Sequence, residues 1–154
     1  MRRCLTARYL SVLLTSVTLV FIFIQSLLPP TVSGAESGWV ATLLGDVFGE
    51  TTVLGRFLIE HVRKIAHFLE YGALGAETLW LLYAFREQLP LPLCRTAPLW
   101  GLAVGFVDET LQCFSSRGPA IADVWLDGAG FATGFLLGSL LLLLPRRKRE
   151  NTDA

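Results

Sequence analysis

Three polar segments carry most of the residues that could do chemistry. The stretch "KIAHFLEY" at residues 64–71 contains Lys64, His67 and Tyr71, whose spacings of three and four place them on one face of a helix. Further along, "VDETLQCF" supplies two carboxylates and an amide, and the third segment, "DVWLD", contains Asp123 and Asp127, four residues apart. Such groups can hold an anion, or transfer protons through histidine and carboxylates. The candidate ligand-binding residues are Lys64, His67, Tyr71, Glu109, Gln112, Arg117, Asp123 and Asp127.

The composition places these polar groups in a membrane protein. The chain has 154 residues, 53% of them apolar, and a mean hydropathy of +0.54. Four apolar stretches are long enough, or nearly so, to cross about 30 Å of hydrocarbon as helices. They are residues 9–28, 62–85, 97–114 and 123–144. Since backbone groups in lipid must satisfy one another, we predict an all-α fold. Its four transmembrane helices form one membrane domain over residues 9–144.

The basic residues indicate the orientation of this bundle. Nine of the 13 lie on one side of a four-span arrangement: before the first span, in the second connection and in the tail. By the positive-inside tendency that side is the cytoplasm. Residues 1–8 then form a cytoplasmic N-terminus, and residues 145–154 form a basic cytoplasmic tail. The tail "RRKR" is expected to contact anionic lipid headgroups, and no nucleic-acid partner is predicted.

Two further features concern the first half of the chain. The segment "PPTVSGAESG" is expected to break the helix, and "WVATLLGDVF" then shows helical periodicity typical of a short interfacial helix between the first two spans. Ser33, Gly34 and Ala35 also resemble a signal-peptidase site, although the 20-residue apolar run favours a retained anchor. Cys4 and Cys94 fall on the predicted cytoplasmic side and Cys113 falls near the outer face, so no obvious disulfide pair is available.

In the predicted topology, the ionisable groups of three helices lie at the same depth in the outer leaflet. Each charge inside a membrane helix costs about 2.5–3.5 kcal/mol, so such groups need partners or a wet cavity. Singly, each is also typical of a span-end cap, whereas together they indicate one polar cluster. Glu77, two turns from Glu70, has no evident role. Asp123 and Asp127 lie on one face of the fourth span. Three glycines on the same face are expected to let another helix pack closely: Gly130, Gly134 and Gly138.

Two motifs together resemble the VanZ-like family of small bacterial membrane proteins. They are "RKIAHFLEYGALG" and "DETLQCFSSRGPAIADVWLDGAGFATG", which cover residues 63–134. The resemblance extends to the eight candidate binding residues and to the first two of the ridge glycines. Many relatives have asparagine where Asp127 stands, which implies that its charge is dispensable. A Pro-Ala pair replaces the small polar residues common in the outer turn. The founding member is associated with resistance to teicoplanin.

The resemblance and the predicted sidedness favour an envelope protein that binds a membrane lipid or a lipid-linked cell-wall precursor. Arg117 and Lys64 would hold the anionic headgroup, while Tyr71 and Gln112 would orient it. The alternative is an intramembrane enzyme with acid/base or metal-assisted chemistry, for which the catalytic candidates are His67, Glu109 and Asp123. A transporter is disfavoured because no inverted repeat is present. No compact ligand motif occurs, so neither a metal site nor a cofactor is predicted, and the sequence allows an oligomer.

Overall fold

The computed structural model describes the backbone of residues 2–89, 91–115, 118 and 120–150. Side chains are described for residues 5–35, 37–89, 96–115, 118 and 120–142. Within these ranges all regular structure is helical, which confirms the all-α prediction. A 3-10 turn, Cys113–Ser115, follows the fifth helix. The α-helices are α1 (Arg2–Leu27), α2 (Pro30–Phe48), α3 (Val53–Glu60), α4 (Val62–Phe85), α5 (Leu91–Gln112) and α6 (Ile121–Glu150).

Helices α1 and α6 have the length and composition of membrane spans. Their apolar stretches are Leu5–Leu27 and Ile121–Leu142, of 23 and 22 residues, and each is about 33 Å or more long. Only 17% and 28% of them are buried inside the protein, so most of their apolar side chains face outward. Helices α4 and α5 are also long, but α4 contains Glu70 and Glu77, and α5 contains two carboxylates near its C-terminal end. The four-span arrangement is therefore only partly supported by composition.

Helix α4 lies at the centre of the bundle, antiparallel to α1. At one end, Arg8 of α1 donates a hydrogen bond from Nε to the carbonyl oxygen of Ala84 (2.9 Å). Further along, Thr18 donates to Glu77 Oε1 (3.0 Å). This bond supplies a partner for Glu77, the acid whose role the sequence left open. The pairing of early α1 residues with late α4 residues fixes the antiparallel arrangement.

Glycines bring α6 close to the backbone of α4. A Cβ atom at Gly130 would overlap the carbonyl oxygen of Phe68, and one at Gly134 would overlap that of Gly72. A Cβ atom at Gly138 would lie 2.8 Å from a methyl carbon of Leu79, a side chain that can move. The contact positions advance together along both helices, so α4 and α6 are parallel. Together with α1, these two helices form a small apolar core, which consists of Ile22, Tyr71, Leu74 and Phe131.

Two helices, rather than a break and one short helix, connect α1 to α4. Helix α2 begins at Pro30, and the small residues of "TVSGAESG" continue it, because a proline at the first position needs no intrahelical N–H bond. Gly49 then adopts φ 80° and ends α2, and Thr52 accepts a hydrogen bond from the Gly55 amide at the start of α3. The exposed apolar side chains of this α2–α3 hairpin include Trp39, Leu43, Val47, Val53, Leu54 and Phe57.

A second difference concerns the connection between α4 and α5. The third apolar stretch was placed at residues 97–114, but α5 begins at Leu91 and includes Pro98. Proline removes one backbone donor, and membrane helices tolerate this loss when neighbouring groups satisfy the freed carbonyl. The turn is consequently shorter than the sequence indicated.

Candidate functional site

Three helices contribute one ionisable side chain each to a buried cluster. His67 comes from α4, Asp108 from the end of α5 and Asp127 from the second turn of α6. Nδ1 of His67 lies 3.6 Å from Oδ1 of Asp127 and 3.9 Å from Oδ2 of Asp108. Both aspartate side chains are fully buried, whereas His67 remains 21% exposed. We call these three residues the triad.

The carboxylate of Asp108 is oriented by neighbours on two helices. Ser26 of α1 donates a hydrogen bond to Oδ1, and Gln112 donates from Nε2 to Oδ2 (3.3 Å). The same amide nitrogen lies 3.2 Å from Oε1 of Glu109. Because these donors are buried, they hold the Asp108 carboxylate in a defined direction. Gln112 therefore joins both neighbouring carboxylates of α5.

Asp127 has a different environment. Neither of its carboxylate oxygens has a hydrogen-bond partner among the residues that the structure describes, and the same is true of Nδ1 of His67. Their 3.6 Å separation exceeds a charge-assisted hydrogen bond, which is about 2.7–2.9 Å long. Burying an unpaired carboxylate is costly, so this position calls for a compensating group.

Glu109 joins the end of α5 to the segment before α6. Its Oε2 accepts a hydrogen bond from the backbone amide of Ala120 (2.8 Å), one residue before α6 begins. The side chain is only 6% exposed. These contacts give Glu109 a positioning role for the turn, beside its link to the triad through Gln112.

A polar cleft of about 510 Å³ opens next to the triad. It lies between the start of α4, the start of α6 and the N-terminus of α2. Lys64 and Arg63 are exposed at this cleft, and Asp123 faces it from the first turn of α6. The lining residues are Pro30, Glu60, Arg63, Lys64, His67, Gln112, Gly118 and Asp123.

A smaller cleft of about 190 Å³ lies on the other side of His67, between α1, α2 and α4. Its lining combines the apolar Val40, Val62 and Ala66 with polar groups such as Glu70 and Ser33. Arg63 and His67 line both clefts. The smaller cleft is therefore the more apolar of two spaces that meet at the same histidine.

The structure distributes the sequence-predicted residues over distinct environments. Lys64, Gln112 and Asp123 line the larger cleft with His67. Tyr71 is fully buried in the core, and its hydroxyl group has no hydrogen-bond partner within the described ranges. Of the catalytic candidates, His67 contacts Asp108 and Asp127 rather than Glu109 or Asp123 in the described part of the chain. Arg117, which the sequence places in the site, lies outside the described residues.

Asp108 and Ser26 were absent from the sequence-derived site. Asp108 precedes Gln112 by four residues, and this spacing puts the two on one helix face, a signal that was available. Along α1, Ser11, Thr15 and Ser26 are buried, with spacings that follow one side of a helix. Such a row of small polar residues within an apolar span indicates which side faces the bundle.

Comparison with known proteins agrees with the motifs. No curated protein and no solved structure is significantly similar to the chain. A family model described as VanZ/LLP1 matches residues 10–142, which include the whole triad, helices α2 to α5 and most of α1 and α6. Together with the two apolar helices, this match supports a membrane protein. Because the match covers most of its length, the chain belongs to the VanZ/LLP1 family.

Proposed function

We propose that the protein is a four-span membrane protein of the bacterial cell envelope, with the triad at its outer end. The overall distribution of basic residues along the sequence supports this orientation. Arg8 binds the Ala84 carbonyl and lies 5.3 Å from the ring centre of Phe85, while Arg86 lies 4.3 Å from that of Tyr83. This end of α4 is opposite to the triad. In a four-span arrangement nine of the 13 basic residues lie on this side, which favours a cytoplasmic location.

The larger cleft would bind the anionic headgroup of a membrane lipid or a lipid-linked cell-wall precursor. The observation that carries this proposal is the pair of exposed cations, Arg63 and Lys64, on a cleft of about 510 Å³. Arginine can bind a phosphate through two parallel hydrogen bonds, and lysine adds a point charge. Glu60 and Asp123 on the same cleft would select for headgroups that also carry hydrogen-bond donors.

The exposed apolar face of the α2–α3 hairpin suits a site entered from the bilayer. Trp39 and Phe57 are exposed on it, at 70% and 54%. Aromatic and aliphatic side chains of this kind favour the region between headgroups and acyl chains. The hairpin would therefore lie in the outer leaflet beside the cleft, where a lipid could place its headgroup without leaving the membrane.

Binding of a precursor or lipid at this position would modulate susceptibility to teicoplanin-type glycopeptides. Such drugs carry a lipid tail and depend on the outer leaflet, whereas untailed glycopeptides depend on it less. The family resemblance motivates this part of the proposal.

The headgroup proposal can be tested with lipid that remains bound to the full-length protein. Wild type, an Arg63→Gln/Lys64→Gln variant and an Arg86→Gln control would be purified from the same bacterial host in mild detergent. Hydrogen bonds to charged groups contribute about 1.5–3 kcal/mol, so the double variant should retain at least about tenfold less anionic lipid by mass spectrometry. The control changes an exposed arginine at the opposite end and should match wild type. Equal lipid content in all three proteins would refute the proposal.

A further inference from the structure

From the triad we infer a binding site for a divalent transition metal ion, of the Zn²⁺ or Mn²⁺ type. His67, Asp108 and Asp127 each offer one ligand atom, and these atoms all lie within 4.8 Å of one another. Metal–ligand bonds of about 2.0–2.2 Å keep neighbouring ligand atoms about 3–4 Å apart. The separations of 3.6 Å and 3.9 Å measured from His67 Nδ1 fall in this range. The inference does not depend on headgroup binding.

The second observation is the orphaned carboxylate of Asp127. Its side chain is fully buried, and both of its oxygens lack a hydrogen-bond partner among the described residues. It is directed towards Nδ1 of His67, which also lacks one within those ranges. If His67 were protonated and bound directly to Asp127, the two atoms would be about 2.7–2.9 Å apart. The longer spacing leaves room for an ion between three converging ligands.

The charge balance also favours a cation. With a neutral imidazole, the two buried aspartates carry two negative charges at one point between α4, α5 and α6. A divalent ion compensates both, whereas one protonated histidine compensates a single charge. The ion would thus remove the cost of burying two carboxylates at that depth.

Neighbouring residues orient one of the ligands, Asp108, as in established metal sites. Ser26 and Gln112 donate to the two oxygens of Asp108, which fixes the direction of its carboxylate. Partners of this kind set ligand geometry and affinity. His67 lines the larger cleft, so water or a ligand oxygen could complete the coordination from that side. One imidazole nitrogen with two carboxylate oxygens suits Zn²⁺ or Mn²⁺ better than Ca²⁺ or Cu⁺.

The first experiment uses the unaltered protein. The full-length chain would carry a tag without histidines, be stripped with EDTA in detergent, and be transferred to chelator-free buffer. Equilibrium dialysis against Mn²⁺ or Zn²⁺, followed by elemental analysis, should find one ion per chain. Pulsed electron paramagnetic resonance of the Mn²⁺ form should show a ¹⁴N coupling from a single imidazole. Binding of less than a tenth of an ion per chain, or Mn²⁺ without a nitrogen coupling, would overturn the inference.

Variants identify the ligands. Asp127→Asn and His67→Gln keep the approximate side-chain size and should each weaken metal affinity by at least about tenfold. Glu77→Gln is the matched control, because it neutralises an acid that lies outside the triad and keeps an oxygen that can accept the hydrogen bond from Thr18. It should bind metal like wild type. Unchanged affinity in a folded Asp127→Asn or His67→Gln protein would contradict the assignment. If either variant does not fold, the nitrogen coupling of wild type decides.

Discussion

Replacing Gly134 with alanine is expected to separate the two central helices of the bundle. A Cβ atom there would overlap the carbonyl oxygen of Gly72 and lie 2.6 Å from its carbonyl carbon and 2.9 Å from its Cα atom. Non-bonded carbon atoms are ordinarily about 3.5–4.0 Å apart, so α4 and α6 would have to move apart by about 1 Å. A gap of that size removes about a quarter to a half of the dispersion energy at each affected contact.

The size of the effect follows from two opposing contributions. Overpacking a well-packed interface costs about 1–3 kcal/mol, and the upper end applies because the obstacle is backbone, which cannot rotate away. Alanine in place of glycine contributes about 1 kcal/mol of helix propensity in return. The net loss in free energy of unfolding is about 2 kcal/mol, taking these two terms together.

The matched control is Gly38→Ala, within α2. A Cβ atom at Gly38 meets no atom within 4 Å, so only the propensity gain of about 1 kcal/mol applies. The two variants should then differ by about 3 kcal/mol, or about 6–12 °C in melting temperature for a chain of this size. Thermal unfolding of the purified proteins in one detergent, followed by circular dichroism, measures this difference. Indistinguishable melting temperatures for the two variants would refute the close-packing argument.

Three further predictions concern sidedness, the triad and susceptibility. In a Cys113→Ala background, a cysteine substituted for Gly118 should react with an impermeant maleimide applied to intact cells, because the proposed orientation places this turn outside; labelling only after lysis would contradict that orientation. Ser26→Ala should lower the free energy of unfolding by about 1–3 kcal/mol, because a buried carboxylate loses a donor, whereas Ser37→Ala should not; equal thermal stability of the two variants would count against this role. Expression in a susceptible Gram-positive host should raise the inhibitory concentration of teicoplanin more than that of vancomycin. His67→Ala should abolish this increase when a blot shows equal protein abundance, and equal increases for wild type and variant would show that the triad does not contribute to it.

The helical class and the family were predictable because both depend on local patterns. Long apolar runs can satisfy their backbone only as helices, and the two motifs occur within continuous segments of sequence. The helix limits were less predictable. Pro30 belongs to a segment that is expected to break the helix, yet it is the first residue of α2, and Pro98 lies within α5. The cost of a proline depends on its position in the helix and on its neighbours.

The candidate site was predictable only as a group of residues. Spacing along each helix indicated that His67, Gln112 and Asp127 would lie at the same depth in the bundle. It did not indicate that His67 would lie next to Asp108 instead of Glu109, because neighbouring positions on a helix differ by about 100° and only the neighbouring helices select one of them. The small polar residues of α1 indicate which side of that helix faces the bundle, but not that Ser26 would donate to Asp108.

The sequence by itself thus determined the helical class, the membrane character, the family and the residue types available for chemistry. The tertiary structure decided which of those residues meet. Glycines on α6 set a close, parallel crossing with α4, and this crossing brings Asp127 to within 3.6 Å of His67. It also left Asp127 without a hydrogen bond in the described part of the protein. The physical reason is that contacts between helices depend on their rotation and separation, which are fixed by packing across the whole bundle.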